Sequence, residues 1–187
     1  MTLTSVDVTF RRASQADIPA IARQGRTAFL EAFRQHYSAE ELAAYFAQQY
    51  GPGVQEAEFD SGEYVTFVGE CESTIIGHCK LGPFQLPESS RLALGINRLY
   101  VLSLWHGRGV ARQLLSLAID EARQRQAPAL YLSCWSENPR ARRFYEREGF
   151  AVIGTCTFPM GDRLDTDYLM RLALTPKSGQ DNRSATG

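Results

Sequence analysis

The sequence predicts an α+β domain built around one mixed β-sheet, and three observations support this fold class. The first 50 residues contain a short alternating segment followed by two stretches with apolar residues at helical spacing. Residues 63–102 are typical of three consecutive strands joined by short turns. From residue 109 onward, helix-like and strand-like segments alternate until two final strands close the pattern.

The first half of the chain supplies one strand, two helices and then three strands. "VDVTFRR" alternates apolar and polar residues, as a half-buried strand does. Ser14 and Asp17 are candidate caps for a first helix that runs to Phe33. Ser38 and Glu41 form a capping box for the second helix, which ends at a Gly-Pro-Gly turn. The three strands are "EYVTFVGEC", "STIIGHCKLGPF" and "RLALGINRLYVL".

The second half begins with a helix over residues 109–125, and "APALYLSCW" then predicts a buried strand. "NPRARRFYEREGF" predicts a short helix with Asn138 as N-cap, Pro139 at its first position and Gly149 after its end. "FAVIGTCTF" and "TDYLMRLAL" predict the last two strands. The polar residues 175–187 predict a disordered tail, which leaves residues 1–174 as a single domain.

The composition argues against several classes of function. The chain has 187 residues, of which 44% are hydrophobic and 22% are charged, as expected for one globular domain. A net charge of −1 argues against a nucleic-acid partner. The four cysteines and three histidines lack metal-site or disulfide spacing, so no metal is expected. Without an apolar leader or a membrane-spanning run, we expect a cytoplasmic protein that binds no membrane.

The segment "WHGRGVARQLL", residues 105–115, combines glycines, arginines and the start of a helix. Glycine backbone lets a phosphate approach N–H groups closely, and a helix N-terminus adds partial positive charge. A nicotinamide-dinucleotide fingerprint would require a glycine where Arg112 stands. A tight turn with solvated arginines and a loop for another phosphate-bearing ligand both stay open. Nine arginines against five acidic residues between positions 98 and 150 favour the phosphate-bearing ligand.

Two segments in this order resemble the GCN5-related N-acetyltransferases. "RLYVLSLWHGRGVARQLL" matches that family's Gln/Arg-x-x-Gly-x-Gly/Ala loop, except that His106 stands at the Gln/Arg position. About twenty residues later, Asn138 to Phe150 is similar to the family's N-x-x-A-x-x-F/Y-Y-x-x-x-G-F segment. "TAFLEAFRQHYSAEELAAYFAQQY" and "FPMGDRLDTDYLMRLAL" further resemble the PaiA-type branch, which acetylates polyamines such as spermidine.

This resemblance implies a mostly antiparallel sheet of about seven strands, flanked by about four helices, with the fourth and fifth strands splayed apart. Acetyl-CoA is the implied co-substrate, and its pantetheine arm would lie in that gap. Asn138 would contact this arm in addition to capping its helix. The arm would bond to the main chain of Leu99, Tyr100 and Val101, and the pyrophosphate to Gly107, Arg108, Gly109, Val110, Ala111 and Arg112.

The implied reaction is direct attack of a primary amine on the thioester within a ternary complex, with Tyr145 protonating the departing thiolate. A primary amine has a reference pKa of about 10.4, so a base must take one proton. Many relatives place a glutamate on the strand before the loop, but Gly95 and Asn97 stand at those positions. The base is therefore unassigned, with Glu31 as a weak candidate.

The acceptor is expected to be a small polyamine-like amine, held between the first two helices and the last strands. Acidic residues that could attract it, although each alone is typical of a solvated surface, are Glu31, Glu40, Glu41, Asp162, Asp165 and Asp167. The alternatives are a protein lysine or N-terminal acetyltransferase and a degenerate acyl-CoA-binding regulatory module. The oligomeric state stays open, with a homodimer as one expectation because relatives are often dimers.

Overall fold

The computed structural model describes residues 7–86, 92–160 and 163–174, and all structural statements below concern these residues. They form seven strands and five α-helices. In chain order these are β1 (Thr9–Arg12), α1 (Ile18–Phe33), α2 (Ala39–Tyr50), α3 (Val54–Asp60), β2 (Val65–Cys71), β3 (Thr74–Gln85), β4 (Leu92–Val101), α4 (Val110–Gln124), β5 (Ala129–Trp135), α5 (Pro139–Arg147), β6 (Ala151–Met160) and β7 (Arg163–Ala173).

The strands form one sheet in the order β1-β2-β3-β4-β5-β7-β6. All neighbouring pairs are antiparallel except β4 and β5, which are parallel. β4 and β5 are in register only at Gly95 and Tyr131, whereas β4 stays paired with β3 as far as Val101. The two parallel strands therefore separate after Gly95 and leave a gap in the middle of the sheet. This confirms the α+β class, the mixed sheet and the splay that the resemblance implied.

The helices cover the two faces of the sheet. On one face, α4 contributes the fully buried Leu114 and Leu115 to the main core, which Phe144 and Tyr145 of α5 also contact. On the other face, α1 and α2 pack over the sheet through an aromatic cluster that includes Phe29. Because side chains alternate along a strand, and Leu132 and Cys134 belong to the α4 core, Ser133 points to the α1–α3 face.

Local signals in the sequence set most helix boundaries. The Ser38–Glu41 capping box forms as predicted, with 2.7 Å from Ser38 N to the Glu41 carboxylate. Asn138 caps α5, and Gly149 follows that helix with a φ of +92°. The sequence interpretation missed α3, because seven residues directly after a Gly-Pro-Gly turn are too few to show a helical repeat.

Three expectations from the sequence concerned a membrane span, a metal site and a disordered tail. Within the described residues, no helix is both long and apolar enough to cross a membrane. In the same part of the chain, no cluster of His, Cys, Asp and Glu is arranged to hold a metal ion. The tail predicted at residues 175–187 lies outside the described residues.

Candidate active site

Gly107 and Gly109 turn the chain between the end of β4 and the start of α4. Their φ values of +76° and +81° lie in the left-handed region, which costs other residues about 1 kcal/mol or more. The first hydrogen bond inside α4 runs from Gln113 N to Gly109 O, at 3.0 Å. The preceding N–H groups, those of Val110 to Arg112, therefore point out of the helix N-terminus, where they can bind phosphate oxygens.

The two arginines of this loop remain at its surface. The Arg108 guanidinium lies over the Trp105 ring, 5.2 Å from its centroid. Arg112 is exposed, with its Nε 3.6 Å from the Glu148 carboxylate. Arg98, which contributed to the positive excess in the sequence, is instead buried on the opposite face of the sheet. Only part of that excess therefore lies beside the loop.

His106 ties the loop back to β4. Its Nε2 lies 2.9 Å from the carbonyl oxygen of Val101, the last residue of the strand. Since a carbonyl only accepts hydrogen bonds, Nε2 must carry the proton and donate it. The family that the sequence resembles usually has Gln or Arg at this position, and both of these side chains also offer an N–H donor. His106 therefore keeps a side-chain hydrogen-bond donor at this position.

The main chain of β4 faces the gap at alternate residues. The Leu102 N–H donates to Ile76 O at 3.0 Å, and in an antiparallel ladder such pairs recur at every second residue. Tyr100 therefore directs its main-chain groups to β3, while Leu99 and Val101 direct theirs into the gap. The Tyr100 ring lies on the α1 side, where its hydroxyl is 3.2 Å from that of Tyr45.

Asn138 stands at the N-terminus of α5. Its Oδ1 accepts a hydrogen bond from Ala141 N at 3.0 Å, which is an ordinary N-cap. This cap uses only the oxygen of the amide, so the Nδ2 donors are not consumed by it. Capping and ligand binding are therefore compatible at this residue.

The Tyr145 phenol lies beside the gap on the α4–α5 face. Burial raises the pKa of this phenol well above its usual 10, and Cys134, Cys79 and Tyr100 raise it further. Those three residues lie on the central strands β5, β3 and β4, and Tyr145 packs against the main core on this face. The phenol keeps its proton at neutral pH and can act as a hydrogen-bond or proton donor.

A cavity of about 710 Å³ opens on the opposite, α1–α3 face of the gap. Residues of α2, α3, β3, β4, β5 and β6 line it, among them Phe84, Asn97 and Ser133. Because this cavity and Tyr145 lie on opposite faces, groups in the gap are accessible from both sides. This arrangement suits a reaction in which one reactant arrives from one face and a leaving group is protonated from the other.

The structure explains why the expected glutamate is missing from β4. A Cβ at Gly95 would lie 2.7 Å from the side chain of Phe84, so a larger residue would require Phe84 to move. Asn97 donates its amide to Pro83 O at 2.9 Å. Glu31 accepts a hydrogen bond from Ser103 N at 2.8 Å, at the loop that precedes α4. Glu31 is not among the residues that line the cavity.

A buried charge cluster at the α3 end of the cavity was missed by sequence reasoning. Glu58 contacts the Lys80 ammonium and lies 3.5 Å from Arg98 Nη1. Lys80 and Arg98 are each only 5% exposed. Burial, followed by the charge of Arg98, lowers the pKa of Lys80 to about 8. The available signal was a lysine inside the apolar strand "STIIGHCKLGPF".

Two of the predicted acidic residues, Asp165 and Asp167, lie buried on β7. Asp165 accepts hydrogen bonds from the Tyr37 hydroxyl at 2.5 Å and from Arg163 Nε at 2.7 Å. Burial raises the pKa of Asp167, and the nearby Ser133 hydroxyl offsets part of this rise. Among the described residues Asp167 has no ion-pair partner. Asp162 lies outside the described residues.

Glu40 and Glu41, two further predicted acids, lie in the first turn of α2, where Glu40 is exposed and Glu41 is half-buried. Glu41 completes the capping box.

Cys134 on β5 is buried, and desolvation raises the pKa of its thiol to about 12. A thiol in this state is a poor nucleophile, which agrees with a reaction that needs no covalent intermediate.

Comparison with known proteins agrees with this geometry. Residues 27–150 match the model of the acetyltransferase (GNAT) family. An uncharacterized N-acetyltransferase in the pepI 3' region of Lactobacillus delbrueckii subsp. lactis is 26% identical over 166 residues, covering 87% of this chain and 95% of that protein.

Solved structures show the same fold. The PaiA N-acetyltransferase of Thermoplasma acidophilum, in complex with coenzyme A, has a TM-score of 0.75 at 19% identity, covering 90% of this chain and 99% of that one. The ribosomal-protein-S18-alanine N-acetyltransferase of Escherichia coli has a TM-score of 0.62 at 20% identity, covering 94% and 98%. Since the family model spans well over half of the sequence, this chain belongs to the GNAT family of acetyltransferases.

Proposed function

We propose that this chain transfers the acetyl group of acetyl-CoA to a small primary amine. Membership of the family gives acetyl transfer as the reaction class. The observation that carries the proposal is the gap after Gly95, with an N–H-rich loop at one end and Tyr145 and the cavity on its two faces.

The residues of the gap fit the parts of acetyl-CoA. The pyrophosphate is assigned to the backbone N–H groups of Gly107–Arg112, at the helix N-terminus. The pantetheine arm is assigned to the main-chain groups of Leu99 and Val101, with Asn138 Nδ2 as a further donor. Tyr100, which the resemblance also implied, is not part of this assignment because its main-chain groups face β3. This assignment places the thioester in the gap between Tyr145 and the cavity.

Transfer would proceed in a ternary complex, since the described site offers no activated nucleophile. The amine nitrogen attacks the thioester carbon from the cavity side, an N–C bond forms and the C–S bond breaks. Tyr145 gives its phenolic proton to the departing sulfur and recovers a proton from the reacting amine or solvent. Tyrosine and thiol have reference pKa values of about 10 and 8.5, so donation accompanies bond breaking rather than preceding it.

A polyamine-like acceptor is supported by the buried carboxylate of Asp167 and by the likeness to a PaiA N-acetyltransferase. At the other end of the cavity, two cations surround the single carboxylate of Glu58. That imbalance repels a polycation long enough to fill the whole cavity. We therefore expect short diamines to be better substrates than spermine.

The N-terminal amine of a protein is a second candidate acceptor. The likeness to a ribosomal-protein-S18-alanine N-acetyltransferase favours it. A cavity of about 710 Å³ is large enough for the first residues of a peptide as well as for a diamine. Competition between the two acceptor types at equal concentration separates these candidates.

The direct experiment incubates the purified protein with acetyl-CoA and a panel of amines. The panel contains a short diamine, spermidine, spermine, a lysine peptide and a peptide with a free N-terminal alanine. Mass spectrometry of the products identifies which amine gains an acetyl group, and chromatography measures the coenzyme A released. Turnover of at least one amine above the hydrolytic background is expected. Coenzyme A release at background level with every amine would exclude the proposed function.

Tyr145→Phe tests the proton donor. We expect kcat to fall by about 100-fold, the usual range for loss of an acid catalyst, while coenzyme A affinity by calorimetry stays within about twofold. Tyr168→Phe is the matched control, because this tyrosine packs under Arg142 on β7 rather than at the gap. Loss of affinity without loss of kcat in Tyr145→Phe would assign the phenol a packing role.

A further inference from the structure

The amine that attacks the thioester must lose a proton. The side chain of Phe84 packs against Gly95 and leaves no room for a glutamate there that could accept this proton. Asp167 is 5% exposed and, within the described part of the chain, has no cation beside it. A buried carboxylate without a cation is costly, because the Coulombic gain that offsets desolvation is missing. Such a group is expected where a cationic ligand or a transferred proton supplies the missing charge.

Ser133 connects this carboxylate to the cavity. β5 pairs with β7 so that Asp167 lies opposite Trp135, one side-chain position along the same face from Ser133, and Ser133 itself lines the cavity. The Ser133 hydroxyl offsets part of the rise in the pKa of Asp167. Along β5, Ser133 is two residues beyond Tyr131, the last residue paired with β4. Asn97 is the corresponding residue on β4, two positions beyond Gly95. Ser133 therefore stands at the point where the gap opens, on the face from which the amine would enter.

Asp167 acts on groups on both sides of the gap. Its charge contributes to the raised pKa values of Tyr100 on β4, Cys134 on β5 and Cys156 on β6. The titratable groups whose charges are coupled to that of Asp167 are Tyr37, Tyr100, Cys134, Cys156 and Asp165, of which Cys134 belongs to the core on the α4 face. Asp165 is already bound to Arg163 and Tyr37, so Asp167 is the carboxylate of this group left without a cation.

We propose that Ser133 and Asp167 together take the proton of the acceptor amine, in place of a glutamate on β4. This inference rests on the proposed acetyl transfer and names the base for it. An N–H proton of the ammonium passes to Ser133 Oγ as the Ser133 hydroxyl proton passes to the Asp167 carboxylate. The neutral amine then attacks, and Asp167 later releases its proton to solvent.

The environment favours this transfer from both directions. Reference pKa values of about 3.9 for Asp and 10.4 for a primary amine would make the transfer strongly uphill in water. Burial raises the pKa of Asp167, and desolvation lowers that of an amine bound in the same cavity. The remaining pKa difference leaves only a small fraction of the amine neutral, and attack on the thioester draws this fraction forward.

The test combines Ser133→Ala, Ser133→Thr and Asp167→Asn in the full chain. Ser133→Ala and Asp167→Asn should each lower kcat by about 100-fold with coenzyme A affinity unchanged, while Ser133→Thr, which keeps the hydroxyl, should retain most activity. In the wild-type protein kcat should fall at acidic pH, because acid protonates Asp167. In Asp167→Asn this acidic decline of the kcat–pH profile, its acidic limb, should be absent. Asp165→Asn, on the same strand, should leave the limb where it is in the wild-type protein.

A binding measurement keeps the inference independent of turnover. Calorimetry of a short diamine binding to the coenzyme A-loaded protein, in buffers of different ionisation enthalpy, measures the protons released. The wild-type protein should release about one proton per amine fewer than Asp167→Asn, because the ammonium proton stays on Asp167 in the wild-type protein and has to pass to the buffer in the variant. Equal proton release and kcat values within threefold in all of these proteins would overturn the role of Ser133 and Asp167. Absence of turnover in the wild-type protein would instead exclude the proposed function, with proton release still deciding the inference.

Discussion

Two carboxylates on the α1–α3 face of the sheet differ in the charges that surround them. Glu58 lies between Lys80 and Arg98, so its charge is more than balanced by its neighbours. Asp167 lies beside a second carboxylate, Asp165, and has only the Ser133 hydroxyl to offset the rise in its pKa. Glu58 lines the cavity, and Asp167 lies opposite the cavity-lining Cys156 on the neighbouring strand. Of the two acids, only Glu58 has cations beside it.

This difference separates a structural charge from a functional one. Removing one member of a buried ion pair is strongly destabilising, because the remaining charge loses its compensation. Removing an unpaired buried carboxylate should leave the free energy of unfolding unchanged or raise it, because the desolvation cost of burying that charge disappears. Sites that sacrifice stability in this way are commonly those that do chemistry. Three predictions test the contrast, and they are ordered from the largest expected effect to the smallest.

Glu58→Gln should lower the free energy of unfolding by about 3 kcal/mol, the lower end of the range for breaking a buried pair. The physical reason is that Lys80 and Arg98 would remain buried without an anion. Urea denaturation at pH 7 measures the change. The control is Glu56→Gln, an exposed position of the same helix, where a change within about 0.5 kcal/mol is expected. Equal effects at the two positions would break the comparison.

The free energy of unfolding should increase with pH between about pH 8 and pH 10, because of Lys80. Its pKa in the folded protein is lowered to about 8 from an unfolded value of 10.5, so the unfolded chain binds more protons in this window. Stability then increases with pH, by about 1 to 2 kcal/mol. Thermal unfolding at several pH values measures the slope, and Lys80→Met should flatten it. A slope that is unchanged in Lys80→Met would assign it to other groups.

Asp167→Asn should leave the free energy of unfolding unchanged or raise it by up to about 1 kcal/mol at pH 7. The folded-state pKa of Asp167 is raised, so its contribution to stability is lost as pH rises through that pKa. The amide keeps an oxygen that accepts the Ser133 hydroxyl without carrying a buried charge. Urea denaturation provides the measurement. A loss as large as that of Glu58→Gln would show that Asp167 is a structural charge too.

Residues whose role depends on local backbone chemistry were predictable from the sequence. The glycines at 107 and 109, the N-cap at Asn138 and the mixed sheet all appear in the structure as expected. The roles assigned to Tyr145 and to the main chain of β4 stay predictions, although the structure brings these residues to the same gap. Such features are visible in sequence because a turn, a cap or a strand is specified within a few neighbouring positions.

The remaining residues of the site depend on contacts between distant segments. Ser133 and Asp167 are 34 positions apart in the numbering and meet because β5 and β7 are neighbours in a particular register. Glu58 could not be placed because α3 itself was missed. Arg98 was counted with the phosphate-binding charges, but strand alternation turns it to the other face.

The sequence by itself determined the class of fold, the glycine loop and the expectation that no glutamate on β4 serves as base. It gave no means of distinguishing Asp165 from Asp167, which occupy the same face of one strand two residues apart. Only the tertiary structure decided that Arg163 pairs with the first and Tyr37 donates a hydrogen bond to it, while the second has no ion-pair partner among the described residues. The reason is physical: local sequence sets backbone conformation, whereas the charge around a buried carboxylate is set by the segments that fold against it.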